Sequence, residues 1–467
     1  MVNDRSTGRR PRHLLLGVIA VLALLLAACG NSDDDSSGGD AGGTTTTSSG
    51  DSGGSGGDAP VKVTGVPGVT DSEIKFSSLG TNSNNPLGTC VLDCFDQGVK
   101  AYFAYRNSTG GVHGRDLVLS KEVDDELSNN QPKALEIVSA NDTFGTFSAA
   151  QLASGWGDLA KAGVPTYVWM INPAEAAGHP EIFGNREVVC ITCTSRTAAW
   201  GVKLAKGKKV AELGYGVSEN SKQCADWGAK TIEKYGKDIG GAKSVYTASN
   251  LDFGLPNGVG PQVTAMKQAG VDTIIGCLDL NGMKTVAQEM QRQGIRDDVT
   301  MIHANTYDQK FVDDADGLFD GDLIGVAFRP FEADAGDSGL KQFKEWMEKE
   351  DYPISEIAMN GWINATLAAE GIEAAGPNFD RQKVVDATNK IKSFTAGGLT
   401  MPVEWGRQHE PPTEDDITTH GPASDCTSYV RVGDGGKFEL EGDKAKPFIC
   451  FPGESRDWST PEDMNFK

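Results

Sequence analysis

From Val61 onward the chain alternates short apolar runs with amphipathic ones, and this ordering limits the possible folds more than any other feature of the sequence. Glu73 to Leu79 reads as a strand. Phe95 to Arg106 reads as a helix, with Val99, Tyr102, Phe103 and Tyr105 forming a broad apolar face. Leu117 to Val123 alternates as a strand, Pro132 to Ser139 is helical, and Pro165 to Trp169 is strand-like. A second series follows. Val210 to Leu213, Val245 and its neighbours, Val271 to Cys277, Val299 to Ile302 and Leu323 to Ala327 read as strands; Ser221 to Tyr235, Val263 to Ala269 and Met283 to Gln293 read as helices. Residues Leu340 to Ala375 are mostly helical, and from Thr400 the chain is richer in Pro, Gly and short strands. Strands separated by helical segments imply an α/β fold with parallel sheets and crossover helices. No short fixed-period repeat is present, but two similar α/β series are.

At 467 residues the chain is too long for one ordinary core and fits a pair of domains. It has 43 basic and 65 acidic residues, a formal charge of -22, which repels phosphate backbones and argues against nucleic-acid binding. A hydrophobic fraction of 38% is too high for a wholly disordered chain. Only one apolar run approaches membrane length, which excludes a polytopic membrane protein.

That run lies at the N-terminus. Arg5, Arg9, Arg10 and Arg12 precede an unbroken apolar or small stretch from Leu14 to Ala28, the pattern of a secretory signal over residues 1–28. Its end, Leu26-Ala27-Ala28-Cys29-Gly30, resembles the bacterial lipobox, in which cleavage precedes a Cys that receives a diacylglyceryl thioether. Cys29 is therefore the expected lipidation site. Residues 29–60 are dominated by Gly, Ser, Thr and Asp without a single Lys or Arg, a composition that cannot offset its ordering entropy and reads as a flexible tether.

Eight cysteines remain, an even number in an exported chain, which suggests disulfides. Nearest-neighbour pairing gives Cys90–Cys94, Cys190–Cys193 and Cys426–Cys450 and leaves Cys224–Cys277 as a longer link. The alternative for Cys190 and Cys193 is a redox pair or half a zinc site, but no second CxxC and no nearby His accompanies them.

Several segments resemble the type I periplasmic solute-binding proteins of branched-chain amino acid ABC transporters. They are Gly68-Val69-Thr70-Asp71-Ser72-Glu73-Ile74-Lys75; Ala101-Tyr102-Phe103 with Asn107 and Gly110 to Arg115; Asp124-Asp125; Ala162-Gly163-Val164-Pro165; and Phe394 to Thr400. Their order spans the folded region. The resemblance implies two Rossmann-like lobes with parallel sheets, joined by three hinge crossings near Cys190–Cys193, Gly325–Phe328 and Ala396–Met401. Lobe 1 would be residues 61–190 plus 327–398, and lobe 2 residues 191–326 plus 399–467. Ligand would bind between them, and closure would present the closed form to ABC permease subunits.

In such proteins one lobe offers hydroxyl and backbone donors to a ligand carboxylate and the other an acidic group to the ammonium. By that likeness Ser148, Ala149 and Gln151, in an expected loop after Thr146, face the carboxylate; Ser148 as a helix cap is the alternative. Trp169 and Met170 form an apolar wall or ordinary core, with Asn172 as a polar contact. Ser218 and Glu219 either contact ligand or cap a helix. Asp279 is the expected ammonium partner, with a helix cap as its alternative. Asn305, near Tyr307, stands where an acid is common, which leaves a neutral, amide-like or aromatic ligand open beside an amino acid.

The expected function is a lipid-anchored, monomeric substrate-binding protein on the extracytoplasmic face of the membrane, without cofactor or metal. An envelope sensor using the same closure is the alternative. An enzyme is disfavoured because no GxSxG, HExxH or P-loop pattern occurs from Val61 onward and the six His are scattered. The net charge names no ligand, since charge on an exported protein is mostly solvated surface.

Overall fold

The computed structural model describes residues 62–85, 89–169, 175, 177–188, 193–410, 425–451 and 457–467. All fall within one unit, Asp58–Lys467. The expected signal, Cys29 and the tether lie outside the described residues, as do Met170, Asn172 and Cys190. Among the described residues no helix is long and apolar enough to cross a membrane.

The first series forms strands β1 (Glu73–Gly80), β2 (Asp116–Asp124), β3 (Gly145–Ala149), β4 (Thr166–Val168) and β5 (Ile182–Gly184), with helices α1 (Leu92–Ser108), α2 (Asn130–Ala140) and α3 (Trp156–Lys161) between them. The strands pair in parallel in the order β2-β1-β3-β4-β5. The second series, entered through α4 (Arg196–Leu204), comprises β6 (Lys209–Tyr215), α5 (Glu219–Tyr235), β7 (Lys243–Leu251), α6 (Gly260–Ala269), β8 (Thr273–Cys277), α7 (Leu280–Arg292), β9 (Thr300–His303), α8 (Gln309–Asp313) and β10 (Leu323–Val326). Its strands run parallel as β7-β6-β8-β9-β10, the same order as the first sheet. The C-terminal strands β11 (Asp425–Val432), β12 (Phe438–Leu440), β13 (Phe448–Phe451) and β14 (Glu462–Met464) extend this sheet in antiparallel fashion from β10.

Between the second series and those strands, α9 (Gly339–Lys349), α10 (Glu356–Ala375) and α11 (Arg381–Thr388) return to the first sheet's side. Helix α10 is apolar almost all round and lies against α1, with Trp362 meeting Tyr102 edge-on at 5.2 Å. The approach is so close that a Cβ at Gly98 would strike the Ala358 carbonyl, and one at Gly361 the Phe95 carbonyl. Only glycine fits at either position.

Three expectations are corrected here. The residues after Thr146, read as a loop, are the end of the fully buried strand β3. Their polar side chains find partners inside the sheet: Ser77 Oγ lies 2.9 Å from Thr146 Oγ1, and Ser148 Oγ donates to Leu79 O at 2.8 Å. The expected lobe boundary at 398/399 also shifts, because Trp405 is buried against Phe183 at 5.5 Å and Val188 N donates to Gln408 Oε1 at 2.8 Å. Residues 403–410 therefore sit with the first sheet. The third correction follows from the second. The segment Ala396–Met401, expected as a crossing, is a strap: Arg329 N donates to Leu399 O at 2.7 Å and Thr395 Oγ1 to Lys467 O at 2.8 Å, while Met401 packs with Phe448 and the Cys426–Cys450 pair. Residues 411–424, between this segment and β11, lie outside the described residues. The other two passages run between β5 and α4 and between β10 and α9.

One buried acid sits in the first core. Asp96, on α1, accepts a hydrogen bond from Ser78 Oγ at 2.6 Å, and its other carboxylate oxygen has no partner. Burial raises its carboxyl from 3.8 to about 8, partly opposed by the Ser78 bond. The folded state therefore holds a proton that the unfolded state releases, so Asp96 lowers stability progressively as pH rises from about 4 to about 8. Asp96→Asn should gain stability relative to the parent across that window in urea titrations, with the two curves converging at its acid end. A difference independent of pH would refute the assignment.

Candidate ligand-binding cleft

In each sheet the first strand of the series lies between the second and the third, so the connections leaving β1 and β3, and β6 and β8, depart to opposite faces and leave a crevice at the strands' carboxyl ends. A cavity of about 350 Å³ occupies that place. From the first sheet it is lined by Thr89 in the segment after β1, by Ala150 to Ala153 and Trp156 after β3, by Trp169 after β4, and by Glu175. From the second sheet come Tyr215 at the end of β6, Val217 to Ser221 entering α5, Phe253 after β7, Cys277 to Leu280 after β8, and Ala304 and Asn305 after β9. Ile357, at the start of α10, completes the lining.

The second-sheet residues are held by helix caps. Ser218 is the N-cap of α5, its Oγ accepting from Ser221 N, and Ser221 Oγ in turn accepts from Tyr215 N at 2.7 Å and donates to Cys277 O. Asp279 is the N-cap of α7: its Oδ2 accepts from Asn281 N at 3.0 Å and Gly282 N at 3.3 Å, and its Oδ1 accepts from the Tyr215 hydroxyl. Burial raises the Asp279 carboxyl above its ordinary value, opposed by these hydrogen bonds. Burial and the adjacent Asp279 charge both raise the Tyr215 phenol. Glu219 is exposed at the rim and accepts from Gln223 Nε2. The Cys224–Cys277 disulfide lines the cleft and ties α5 to the end of β8.

On the first-sheet side the placement departs from expectation. Ser148 is buried behind the cleft; besides donating to Leu79 O it accepts from Trp156 Nε1 at 2.8 Å, so its hydroxyl is committed within the lobe. Ala149 lies inside β3 and its carbonyl accepts from Thr81 N. Neither lines the cavity. Gln151 does: its N–H donates to Thr81 Oγ1 at 3.2 Å, and its side-chain Nε2 is buried without a partner. Trp169 lines the cavity too. Tyr307 turns away into the core, stacked on Phe331 at 4.8 Å, its hydroxyl donating to Glu332 and accepting from Phe331 N. Asn305 remains on the cleft.

The sequence reading missed Trp156, Glu175, Tyr215, Asn220 and Phe253. Tyr215 and Phe253 follow the carboxyl ends of predicted strands, and that position was a usable signal. Glu175 forms no hydrogen bond to a described residue, and burial raises its carboxyl from 4.5 to about 7. Cys90–Cys94, Cys224–Cys277 and Cys426–Cys450 are bonded as nearest-neighbour pairing expected. Cys193 is also disulfide-bonded. Among the described residues no group of three or more His, Cys, Asp or Glu could hold a metal ion.

The sequence profile described as periplasmic binding protein matches residues 90–436. This chain belongs to the periplasmic binding protein family. Solved structures of the same fold include the fatty acid ABC transporter substrate-binding protein from Thermomonospora curvata, with a TM-score of 0.61 and 18% identity over 81% of this chain and 93% of that one. A leucine binding protein from Thermotoga maritima aligns with a TM-score of 0.59 and 14% identity, covering 79% and 98% of the two chains. The branched-chain amino acid transporter substrate binding protein of Streptococcus pneumoniae, in complex with isoleucine, gives 0.58 and 16%, covering 79% and 98%. No curated protein matches the sequence significantly. The two-lobe α/β architecture expected from the sequence is that of type I periplasmic binding proteins, which are extracytoplasmic.

In this periplasmic binding protein the cleft disulfide closes a loop with a sequence separation of 53 residues. Chain entropy alone assigns such a link about 4 kcal/mol. The double variant Cys224→Ser with Cys277→Ser should lose stability on that order in urea unfolding. An unchanged midpoint would show that the link does not restrain the lobe.

Proposed function

We propose that this protein captures a small solute between its two lobes and delivers it, unchanged, to the permease of an ABC importer. The observation that carries this reading is the cavity whose lining is drawn from the carboxyl ends of both sheets, so that a bound molecule touches both lobes at once. A ligand making contacts to two lobes binds the closed arrangement better than an open one, and this differential affinity drives closure. A few thin connections between lobes suffice as a hinge. The volume suits a small metabolite rather than a polymer. The ABC transporter substrate-binding proteins among the solved structures of this fold support the same reading.

Small-angle scattering on the purified chain, with fractions of a small-metabolite extract, tests it. A binding fraction should reduce the radius of gyration and raise the thermal midpoint together, since a ligand of the folded state stabilises it by mass action. A thermal shift without compaction, for every fraction that binds, would rule out capture by closure.

The anchor is part of the proposal. A diacylglyceryl group on Cys29 would hold the protein at the membrane, each buried methylene contributing about 0.8 kcal/mol, with residues 30–60 as spacer. The parent should partition with membranes and into detergent, and Cys29→Ser should not. Equal partitioning of the two would exclude the lipid.

A further inference from the structure

We propose, resting on the capture reading above, that the cleft takes an organic cation lacking a carboxylate: an amine, amidinium or guanidinium on an apolar body. The charged lining residues are Glu175, Glu219 and Asp279, and no Lys, Arg or His is among the described residues lining the cavity. The sequence supplies none at 86–88 or 170–174 either, the stretches adjoining the lining in the chain. An α-amino acid would bring a carboxylate into this acidic space with no cation to meet it.

On the first-sheet side the hydroxyls and the Gln151 backbone N–H are already engaged, which leaves the uncharged Gln151 Nε2 as a free donor. Ser148 Oγ donates to Leu79 O, Thr81 Oγ1 donates to Asp125 Oδ1 at 2.9 Å, and the Gln151 N–H donates to that same threonine. A carboxylate reaching for those hydroxyls would displace bonds that hold β1 and β3 together, and a desolvated anion met by one amide and no cation is costly.

The same walls suit a cation. Trp156 and Trp169 from one lobe and Tyr215 and Phe253 from the other contribute aromatic surface, the last two meeting edge-on at 5.2 Å. Aromatic faces attract a desolvated cation and also bury an apolar body. Asp279 supplies a carboxylate fixed by the Tyr215 hydroxyl and two backbone N–H groups, so no side-chain ordering is needed to receive an ammonium. Glu175, which lacks a hydrogen bond to any described residue, gains the counter-charge that burial otherwise denies it.

The test uses matched pairs on the full folded chain: 3-methylbutylamine against leucine, phenethylamine against phenylalanine, and agmatine against arginine, with 4-methylpentanamide as the neutral control. Calorimetric titration and thermal midpoints should show binding by at least one amine that exceeds its carboxylate-bearing partner and the amide. Asp279→Asn, which retains an N-cap side chain, should weaken that amine about tenfold or more, the loss of one charge-assisted contact. Glu175→Gln provides a second variant should the first fold poorly. Tighter binding of any amino acid than of its amine, tighter binding of the amide, or no response to any amine at about 10 mM would overturn the assignment. Those results leave capture by lobe closure intact. Capture itself fails only when no solute of any charge compacts the chain in scattering.

Discussion

A parallel strand order in which the first strand sits between the second and third determines where this protein does its work. It fixes which loops leave together and which leave apart, and so opens a crevice at the carboxyl edge of the sheet. The chain makes that order twice, as β2-β1-β3-β4-β5 and as β7-β6-β8-β9-β10. Both crevices contribute to one cavity, which is why its lining comes mainly from two blocks of sequence, Thr89 to Glu175 and Tyr215 to Asn305. Helices and caps then only have to orient side chains that the strand order has already delivered.

Placing a cavity between two lobes removes water from acids that would otherwise be solvated. Burial raises Glu175 in the cleft and Glu187, beside the passage from β5 to α4, to about 7, and Glu356, at the start of α10, to about 8. The Arg186 guanidinium favours the charged form of both Glu187 and Glu356 without overcoming their desolvation. Desolvation of this kind depends on how closely the lobes approach, so acids at the hinge and in the cleft are sensitive to lobe geometry in a way that the core acid Asp96 is not.

The alternation of strands and helices was legible because buried parallel strands are continuous apolar runs, and the second series showed them plainly. Strand β3 was not legible, since Thr146 and Ser148 look like loop residues until Ser77, Leu79 and Trp156 are known to receive them. Strand β5 was missed because its three residues carry no periodicity. The second-lobe cleft was read better than the first. Ser218, Glu219, Asp279 and Asn305 follow strands directly, whereas on the first side the wall is made by Trp156 from a later helix and by Glu175. Tyr307 also follows a strand, but the His303–Thr306 contact at 2.9 Å precedes it and its ring stacks inward on Phe331. Burial of Trp405 and the Gln408 bond to Val188 N draw residues 403–410 to the first lobe, which no local pattern announces.

Capping a helix and meeting a ligand were set against each other as alternatives for Asp279, and the structure makes them compatible. Two backbone N–H groups approach Oδ2, while among the described residues Oδ1 receives the Tyr215 hydroxyl alone. A carboxylate oxygen has two lone-pair directions, so Oδ1 retains acceptor capacity toward the cleft. The cap fixes the carboxylate on α7, and the disulfide at Cys277 anchors the strand end just before it. A group immobilised for the sake of the fold needs little further ordering to bind a ligand. The residue that terminates a strand and starts a helix is thus positioned by chain physics at the point where the strand order has opened a cleft. In the first lobe that coincidence is broken. Ser148 closes a buried network two residues short of the opening, and the unpartnered Gln151 amide, rather than a hydroxyl, is left facing the cavity.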